Sequence, residues 1–328
     1  MSLRIMLLMK SNSYKPLDNR SMRTQPIREK NAKVDLTKFA SIYEKGSGIS
    51  GLIKGLPQIL AGRDFCDAVE AIVQAKKNKR AIIWGLGGHV VKCGLNSVLI
   101  DLMDRGFISA LVFNGATAIH DFEIAMVGST SEDVEKGLPT GDFGTSEETS
   151  HWMNDSINKG VSRGKGIGKS LGESIIKGGQ RFPHAESSLL ASAIQKDIPV
   201  TIHVAIGTDT IHTHPSADGS ALGKGSLQDF RLLASIICRL HNGGVYLNCG
   251  SAVVLPEIFL KAVSLVRNLG HPLEKFTTVN LDFLQHYRPT QNVIKRPTLG
   301  SGQGISLTGH HELMIPLLAA TLIEASDN

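Results

Sequence analysis

The segment that decides the fold is residues 81–88, Ala81-Ile82-Ile83-Trp84-Gly85-Leu86-Gly87-Gly88. A short apolar run passes directly into glycines, which is typical of a buried strand that turns at once towards a helix. The same pattern recurs at residues 110–117, where Ala110-Leu111-Val112-Phe113 is followed by Asn114-Gly115-Ala116-Thr117. A helical pattern over residues 94–105 separates the two segments. This alternation predicts a parallel sheet whose strands are joined by right-handed crossovers.

The alternation continues through the rest of the chain. Further strands are predicted at residues 200–205, 245–247 and 277–281, and further helices at residues 64–73 (capped by Asp64), 185–195, 227–240, 256–269 and 312–324. The pattern contains neither an internal repeat nor a linker that would divide the sheet. We therefore expect one doubly wound α/β domain over residues 35–328, with a mostly parallel sheet and helices on both faces, after a basic arm over residues 1–34.

Composition and charge restrict the class of protein. Of the 328 residues 41% are apolar, enough for a sizeable core, and no apolar run is long enough to span a bilayer. The four cysteines are scattered without a CxxC pair, which favours reduced thiols in the cytoplasm. The basic arm lacks interleaved aromatic residues, so we expect a solvated tail or a subunit-wrapping segment and no nucleic-acid partner.

Small or polar residues follow four of the predicted strands. These turns are Gly85-Leu86-Gly87-Gly88, Asn114-Gly115-Ala116-Thr117, Asn248-Cys249-Gly250-Ser251 and Asn280-Leu281-Asp282. Ligands of open α/β sheets bind outside the carboxyl ends of the strands, so the four turns indicate a binding crevice. The first turn lacks the third glycine of the GxGxxG fingerprint, and the glycines are also explained if they only permit tight turns.

The densest polar cluster is residues 209–219, which directly follow a predicted strand. On an extended segment His212 and His214 would share one face, beside Asp209, and each is a candidate general acid or base. Two close histidines do not fix a coordination geometry, so no metal ligand is assigned. Lys295, in a polar loop with Arg288 and Arg296, is a candidate imine-forming nucleophile or else a solvated charge. A hydrogen-bonded loop without a ligand is the alternative for residues 209–219.

From about Val34 onwards the order of segments resembles that of deoxyhypusine synthase and its homospermidine synthase relatives. The similar stretches are Lys92-Cys93-Gly94, Leu111-Val112-Phe113-Asn114-Gly115-Ala116, Glu132 through Gly144, Asp197-Ile198-Pro199-Val200, Leu227 through Leu233, Gly243-Gly244-Val245 and Ile315-Pro316-Leu317-Leu318-Ala319-Ala320. The resemblance implies a homotetramer that binds NAD across the strand ends near a subunit interface. In that family NAD accepts a hydride from a polyamine, and a lysine then takes the aminobutyl group as an imine.

Site residues carry over position by position. The resemblance implies that NAD contacts the turn after the second strand and the turn after the strand at residues 245–247. It also implies contacts with the end of the strand at residues 277–281 and with the start of the last helix. The residues at these places are Asn114, Gly115, Ala116, Gly250, Ser251, Asp282 and His310. The glycine turn adds Gly85, Gly87 and Gly88, and Lys295 lies near the position of the imine-forming lysine.

The substrate expectation departs from that family. Arg288-Pro289-Thr290-Gln291 stands where the family has acids that hold a polyamine. Because an unpaired buried cation is costly, we expect an amine or a less cationic, even anionic, substrate and no deoxyhypusine synthesis. Three functions remain open: an NAD-dependent enzyme of transferase or oxidoreductase type, a metal-dependent hydrolase or lyase using the His-x-His loop, and a non-catalytic binding protein that retains the fold.

Overall fold

A computed structural model describes residues 14–326 of the chain. Residues 14–38 form one unit and residues 39–326 a second. The first unit holds two 3₁₀ turns, Ile27–Glu29 and Leu36–Lys38, and none of its described residues is buried. Two basic residues of the predicted arm, Arg4 and Lys10, lie outside the described residues.

The second unit is built on one sheet whose six strands are all parallel. They are β1 (Ile82–Leu86), β2 (Ala110–Asn114), β3 (Val200–His203), β4 (Val245–Cys249), β5 (Thr277–Asp282) and β6 (Gln303–Thr308). Their spatial order is β3-β2-β1-β4-β5-β6, with parallel pairing throughout. The sheet confirms the predicted doubly wound α/β fold.

Helices cover both faces of this sheet. They are α1 (Gly48–Lys54), α2 (Leu60–Lys77), α3 (Gly88–Lys92), α4 (Asn96–Asp104), α5 (Gly115–Val127), α6 (Val134–Gly137), α7 (Glu147–Ser162), α8 (Ile167–Lys177), α9 (Leu189–Gln195), α10 (Gly219–Ile237), α11 (Val254–Asn268), α12 (Tyr287–Pro289) and α13 (His311–Ser326). Trp84 and Leu86 pack into one core, whereas Ile83 packs into another with α10 and α11. Alternate strand residues thus point to opposite faces, as a sheet buried on both sides requires.

The switch point of the winding lies between β1 and β4. Strand β1 pairs with β2 on one side and with β4 on the other. The turns that follow β1 and β4 are also in contact. The Gly87 N–H donates to the Cys249 carbonyl over 2.8 Å. A Cβ on Gly87 would lie 2.0 Å from the Gly250 carbonyl oxygen. Only glycine permits this approach, so Gly87 is explained by packing.

Three local predictions need correction. Helix α2 begins at Leu60, so Asp64 lies inside it and does not cap it. Helix α10 begins at Gly219, because the Asp218 side chain accepts hydrogen bonds from the first-turn backbone N–H groups. Residues 210–213 form a 3₁₀ turn where an extended segment was expected. Among the described helices, none combines the length and apolarity needed to cross a lipid bilayer.

Candidate active site

A crevice of about 220 Å³ opens at the carboxyl ends of β1, β2 and β3. It is lined by Lys92, Ala116, Ile119, His120, Glu123, Ser131, Glu132, Val134, Phe143, Thr208, Asp209 and Thr210. A cavity of about 720 Å³ against α7 shares three of these residues. A groove of about 780 Å³ between α1, α2 and α13 is larger, but it lies away from the strand ends. Convergent titratable groups at the strand ends make the crevice the stronger candidate.

A hydrogen-bonded relay orients the imidazole of His120 in the crevice. The Thr130 hydroxyl donates to a carboxylate oxygen of Glu123, and its oxygen lies 2.8 Å from Nδ1 of His120. A hydroxyl has one proton to donate, so Nδ1 of His120 must be the donor in that contact. The remaining ring nitrogen, Nε2, therefore carries the lone pair. His120 is thereby held in the tautomer of a general base.

The carboxylate at the end of this relay stays ionised. Burial opposes ionisation of Glu123, but the nearby imidazole of His120, 3.9 Å away, and the hydrogen bond from Thr130 outweigh it and lower the pKa of Glu123 below its usual value. A second hydroxyl, that of Thr149, donates to the other oxygen over 3.2 Å. A carboxylate fixed in this way stabilises the imidazolium that forms when His120 takes a proton.

Asp209 lies against the first residue of α5. A Cβ on Gly115 would meet a carboxylate oxygen of Asp209 at 1.9 Å, so this position also needs glycine. The Asp209 side chain is 8% exposed, and its Oδ2 is buried without a hydrogen-bond partner. Burial raises the pKa of Asp209 to about 6. The carboxylate is thus held at an energetic cost, as is frequent at functional sites.

The crevice carries more negative than positive groups. Its carboxyl side chains are Glu123, Glu132 and Asp209, against one lysine, Lys92. The basic residues that the sequence placed at the rim lie elsewhere. Arg288 pairs with Glu257 at 3.4 Å, and Arg296 donates to the side chain of Asn292. The charge of the crevice therefore favours a cationic group, and an anionic substrate stays a prediction that these residues do not support.

The structure separates the two histidines of the His-x-His loop. Nδ1 of His212 accepts hydrogen bonds from the backbone N–H groups of Gly207 and Asp209, and its Nε2 lies 3.8 Å from Oδ2 of Asp209. His214 instead contacts Ser216 at 2.7 Å and Glu147 at 3.3 Å. The two imidazoles do not share a face, because the 3₁₀ turn rotates them apart. Among the described residues the loop does not gather three metal ligands.

Lys295 is not brought near the other candidates. It ends a π-helical segment, Thr290–Lys295, and is exposed. In this segment the Val293 carbonyl accepts a hydrogen bond from the hydroxyl of Thr278, at the amino end of β5. Lys295 therefore lies towards the amino ends of the strands, whereas the crevice lies at their carboxyl ends. Its assignment as a nucleophile stays a prediction.

The glycines predicted to contact a cofactor are mostly covered by protein. The hydroxyl of Tyr246 occupies the space beside Gly85, and His120 and Ala116 lie against Gly88. Asn114 caps α5, since its side-chain oxygen accepts from the backbone N–H of Thr117. Asn114 and Ala116 are half-buried and keep part of their surface open.

The remaining cofactor candidates surround the third turn and the last helix. Gly250 is half-buried with φ +70°, and Ser251 is buried, where its hydroxyl accepts from the Leu255 N–H. Asp282 is buried, and its side chain accepts from the following backbone N–H. His310 is exposed and its ring stacks on that of Phe283. Of these four residues, Gly250 is both partly exposed and located at the switch point, directly after β4.

Sequence reasoning missed His120. The signal was present, because Ala116, His120 and Glu123 recur at helical spacing after a strand-end turn and so share one face of α5. Thr130 carries no such signal, since only the fold brings it back to α5.

Comparisons with known proteins support the fold. No protein-family model matches the chain, and no curated protein matches it significantly. It is similar to the solved structure of a conserved candidate LOR/SDH protein from Methanococcus maripaludis S2 (TM-score 0.50, 16% identity, 93% of this chain and 76% of that chain). It is also similar to a candidate deoxyhypusine synthase from Entamoeba histolytica (TM-score 0.49, 11% identity, 88% and 97%).

A third similar structure is the ternary complex of AgrE with ornithine and NAD⁺ (TM-score 0.49, 15% identity, 82% of this chain and 34% of that chain). The chain thus spans about a third of the length of AgrE, and the same holds for ArgZ. At these identities the likeness extends to the doubly wound fold alone.

Proposed function

We propose that this protein is an NAD(H)-dependent enzyme that oxidises a small amine bound in the crevice. The observation that carries the proposal is the relay from His120 through Thr130 to Glu123, which presents a basic nitrogen in a cavity walled by carboxyl groups. Assembly as a homotetramer, a transferase step and a cytoplasmic location remain predictions.

The carboxyl groups suit the binding of an ammonium group. Glu132 and Asp209 line the crevice together with Glu123. Glu132 is oriented because one of its carboxylate oxygens accepts a hydrogen bond from the Gly144 N–H over 3.0 Å. Carboxylates in a partly enclosed site pair strongly with a cation.

The strand order supports NAD as the cofactor. Dinucleotides bind at the switch point of doubly wound sheets, which lies here between β1 and β4. Asn114, Ala116 and Gly250 are half-buried at this edge, have short side chains or none, and would hold the cofactor. NAD⁺ bound by these residues would supply the hydride acceptor.

Each of the crevice residues then has a separate role in amine oxidation. Nε2 of His120 takes the ammonium proton, which frees the nitrogen lone pair. Loss of hydride from the adjacent carbon then leaves an iminium ion, whose positive charge Asp209 and Glu132 continue to balance. The Glu123 carboxylate, through Thr130, stabilises His120 while it carries the proton.

The test combines cofactor binding with turnover. Purified protein is incubated with NAD⁺ and a panel of mono- and diamines, and NADH formation is followed by absorbance. We expect His120→Gln to lower kcat by about 10²–10⁴-fold, the usual contribution of a positioned base, with NAD⁺ affinity unchanged. His271→Gln, at an exposed position, is the matched control and should retain full activity. Absence of both NAD(H) binding and NADH formation with every amine would refute the proposal.

A further inference from the structure

A second group of chemically reactive side chains lies near the start of α3 and the start of α13. Nε2 of His89 lies 3.3 Å from Sγ of Cys93, and Sγ lies 3.6 Å from Oε2 of Glu312. One ligand atom from each residue lies within 4.8 Å of the other two. The described residues contain one such group of three, and none of its members lines the crevice.

The fold brings these three residues together from two places. His89 and Cys93 are four residues apart along α3 and its C-cap, so their side chains share one face. Glu312 lies in the first turn of α13, which directly follows β6. Both helices start at the carboxyl edge of the sheet. Cys93 is half-buried, whereas His89 and Glu312 are exposed and so accessible to an ion from solvent.

The two distances from Sγ of Cys93 match the edges of a zinc coordination tetrahedron. With Zn–S of about 2.3 Å and Zn–N and Zn–O of about 2.0–2.2 Å, tetrahedral angles separate the sulfur from the other two donors by about 3.6 Å. The observed separations of 3.3 Å and 3.6 Å need only small side-chain adjustments.

We propose that His89, Cys93 and Glu312 form a binding site for one Zn²⁺ ion at the carboxyl edge of the sheet, outside the crevice. A thiolate with an imidazole selects zinc over Mg²⁺ and Ca²⁺, which prefer oxygen ligands. On binding, the Cys93 thiol releases its proton to water and the sulfur bonds the metal. One thiolate and one carboxylate balance the charge of the ion.

Three protein ligands leave the fourth tetrahedral position for water or a substrate atom, as in catalytic zinc sites. The ring of His89 lies 5.6 Å from that of the buried His311, which packs against the Gly250 turn. The ion would therefore lie next to the switch point and separate from the His120 relay. The proposal does not rest on amine oxidation, and it stands if that activity is absent.

Cobalt is the probe for this site, because it replaces zinc and reports its ligands optically. The full chain is treated with a chelator, kept reduced with a non-thiol phosphine and titrated with Co²⁺. We expect one equivalent to bind, with a thiolate-to-cobalt charge-transfer band in the near ultraviolet and intense visible bands of four-coordinate cobalt. One equivalent of Zn²⁺ should abolish both, and excess Mg²⁺ should not.

Variants assign the ligands. Cys93→Ser should remove the charge-transfer band, and His89→Gln and Glu312→Gln should each weaken Co²⁺ binding at least about 100-fold, more than loss of an outer partner costs. Cys238→Ser, at another half-buried cysteine, should leave the titration unchanged. Because His89 and Glu312 are exposed, their variants should fold even where Cys93→Ser does not. Co²⁺ binding without the thiolate band, or unaltered affinity in both exposed-site variants, overturns the proposal.

Discussion

Replacing Asp209 by asparagine should stabilise the protein at neutral pH. The Asp209 side chain is 8% exposed, its Oδ2 has no partner, and Gly115 packs directly against the carboxylate. Asparagine has nearly the same shape, so the contact with Gly115 is preserved. The substitution removes a buried charge that the folded state holds at a cost.

The magnitude follows from the pKa of Asp209, which burial raises from 3.8 to about 6. Each unit corresponds to about 1.4 kcal/mol, so the ionised carboxylate costs at most about 3 kcal/mol of stability. Between pH 4 and 6 the folded state binds more protons at this group than the unfolded state. The contribution of Asp209 to the free energy of unfolding of the wild type therefore falls as pH rises from 4 to 6, whereas asparagine does not titrate. The advantage of Asp209→Asn should grow from near zero at about pH 4 to its full value above about pH 6.

Urea unfolding of both proteins at several pH values measures this difference. Asp121→Asn is the matched control, because burial raises the pKa of Asp121 to about 6 as well. Its two oxygens, however, accept four hydrogen bonds, from Ser188, Asn96 and the backbone of Leu189 and Leu190. An amide NH₂ would face two of these donors, so Asp121→Asn should destabilise the fold by about 1–3 kcal/mol for each unsatisfied donor.

The two variants thus have opposite expected signs. An Asp209→Asn protein that is less stable than wild type at pH 7.5, or whose advantage does not vary between pH 4 and 6, would refute the reasoning. The same variant should bind the amine substrate more weakly, because it loses a carboxylate of the crevice. Gain of stability with loss of binding would mark Asp209 as a residue retained for function.

Four further substitutions test separate parts of the structure. Gly87→Ala places a methyl group 2.0 Å from the Gly250 carbonyl oxygen, and urea unfolding should show a loss of about 1–3 kcal/mol or more. Lys295→Ala should change the free energy of unfolding by less than about 0.5 kcal/mol and leave NADH formation intact; a large loss of turnover would instead support the imine-forming role. His212→Ala should destabilise the fold, since it leaves two backbone N–H groups without their acceptor, whereas His214→Ala should have a smaller effect on thermal unfolding.

The sequence predicts five of the six strands. Strands β1, β2 and β4 each contain at least three consecutive apolar residues, whereas apolar and polar residues alternate in β3 and β5. The alternation of these strands with helices indicates the parallel sheet. Strand β6, Gln303–Thr308, was missed, because glycine, glutamine and serine break its apolar pattern and it lies at the sheet edge. The early start of α10 was also missed, since its first turn is rich in glycine and serine.

For the candidate site, the sequence indicates a region of the sheet but few of the individual residues. The strand-end rule points to the edge of the sheet at which the candidate crevice lies. Asp209 and Ala116 line that crevice, and their roles stay predictions. The pairing of His212 with His214 failed because hydrogen bonds to backbone N–H groups close a 3₁₀ turn that alternation along the sequence does not reveal. The His120 relay depends on Thr130 returning from the loop after α5, a contact that only the tertiary fold establishes.

The pairing of β1 with β4 also has a consequence for synthesis on the ribosome. Gly85 pairs with Asn248, so the central strand gains its second neighbour only after about 160 further residues have been made. At about 5–20 residues per second this interval is roughly 8–30 s. Throughout it, the apolar strand Ile82–Leu86 presents unpaired backbone groups at an open edge, where another nascent chain could add by strand pairing. We therefore expect production of the protein to depend on chaperones that cover this edge, and slower translation between β3 and β4 to increase aggregation.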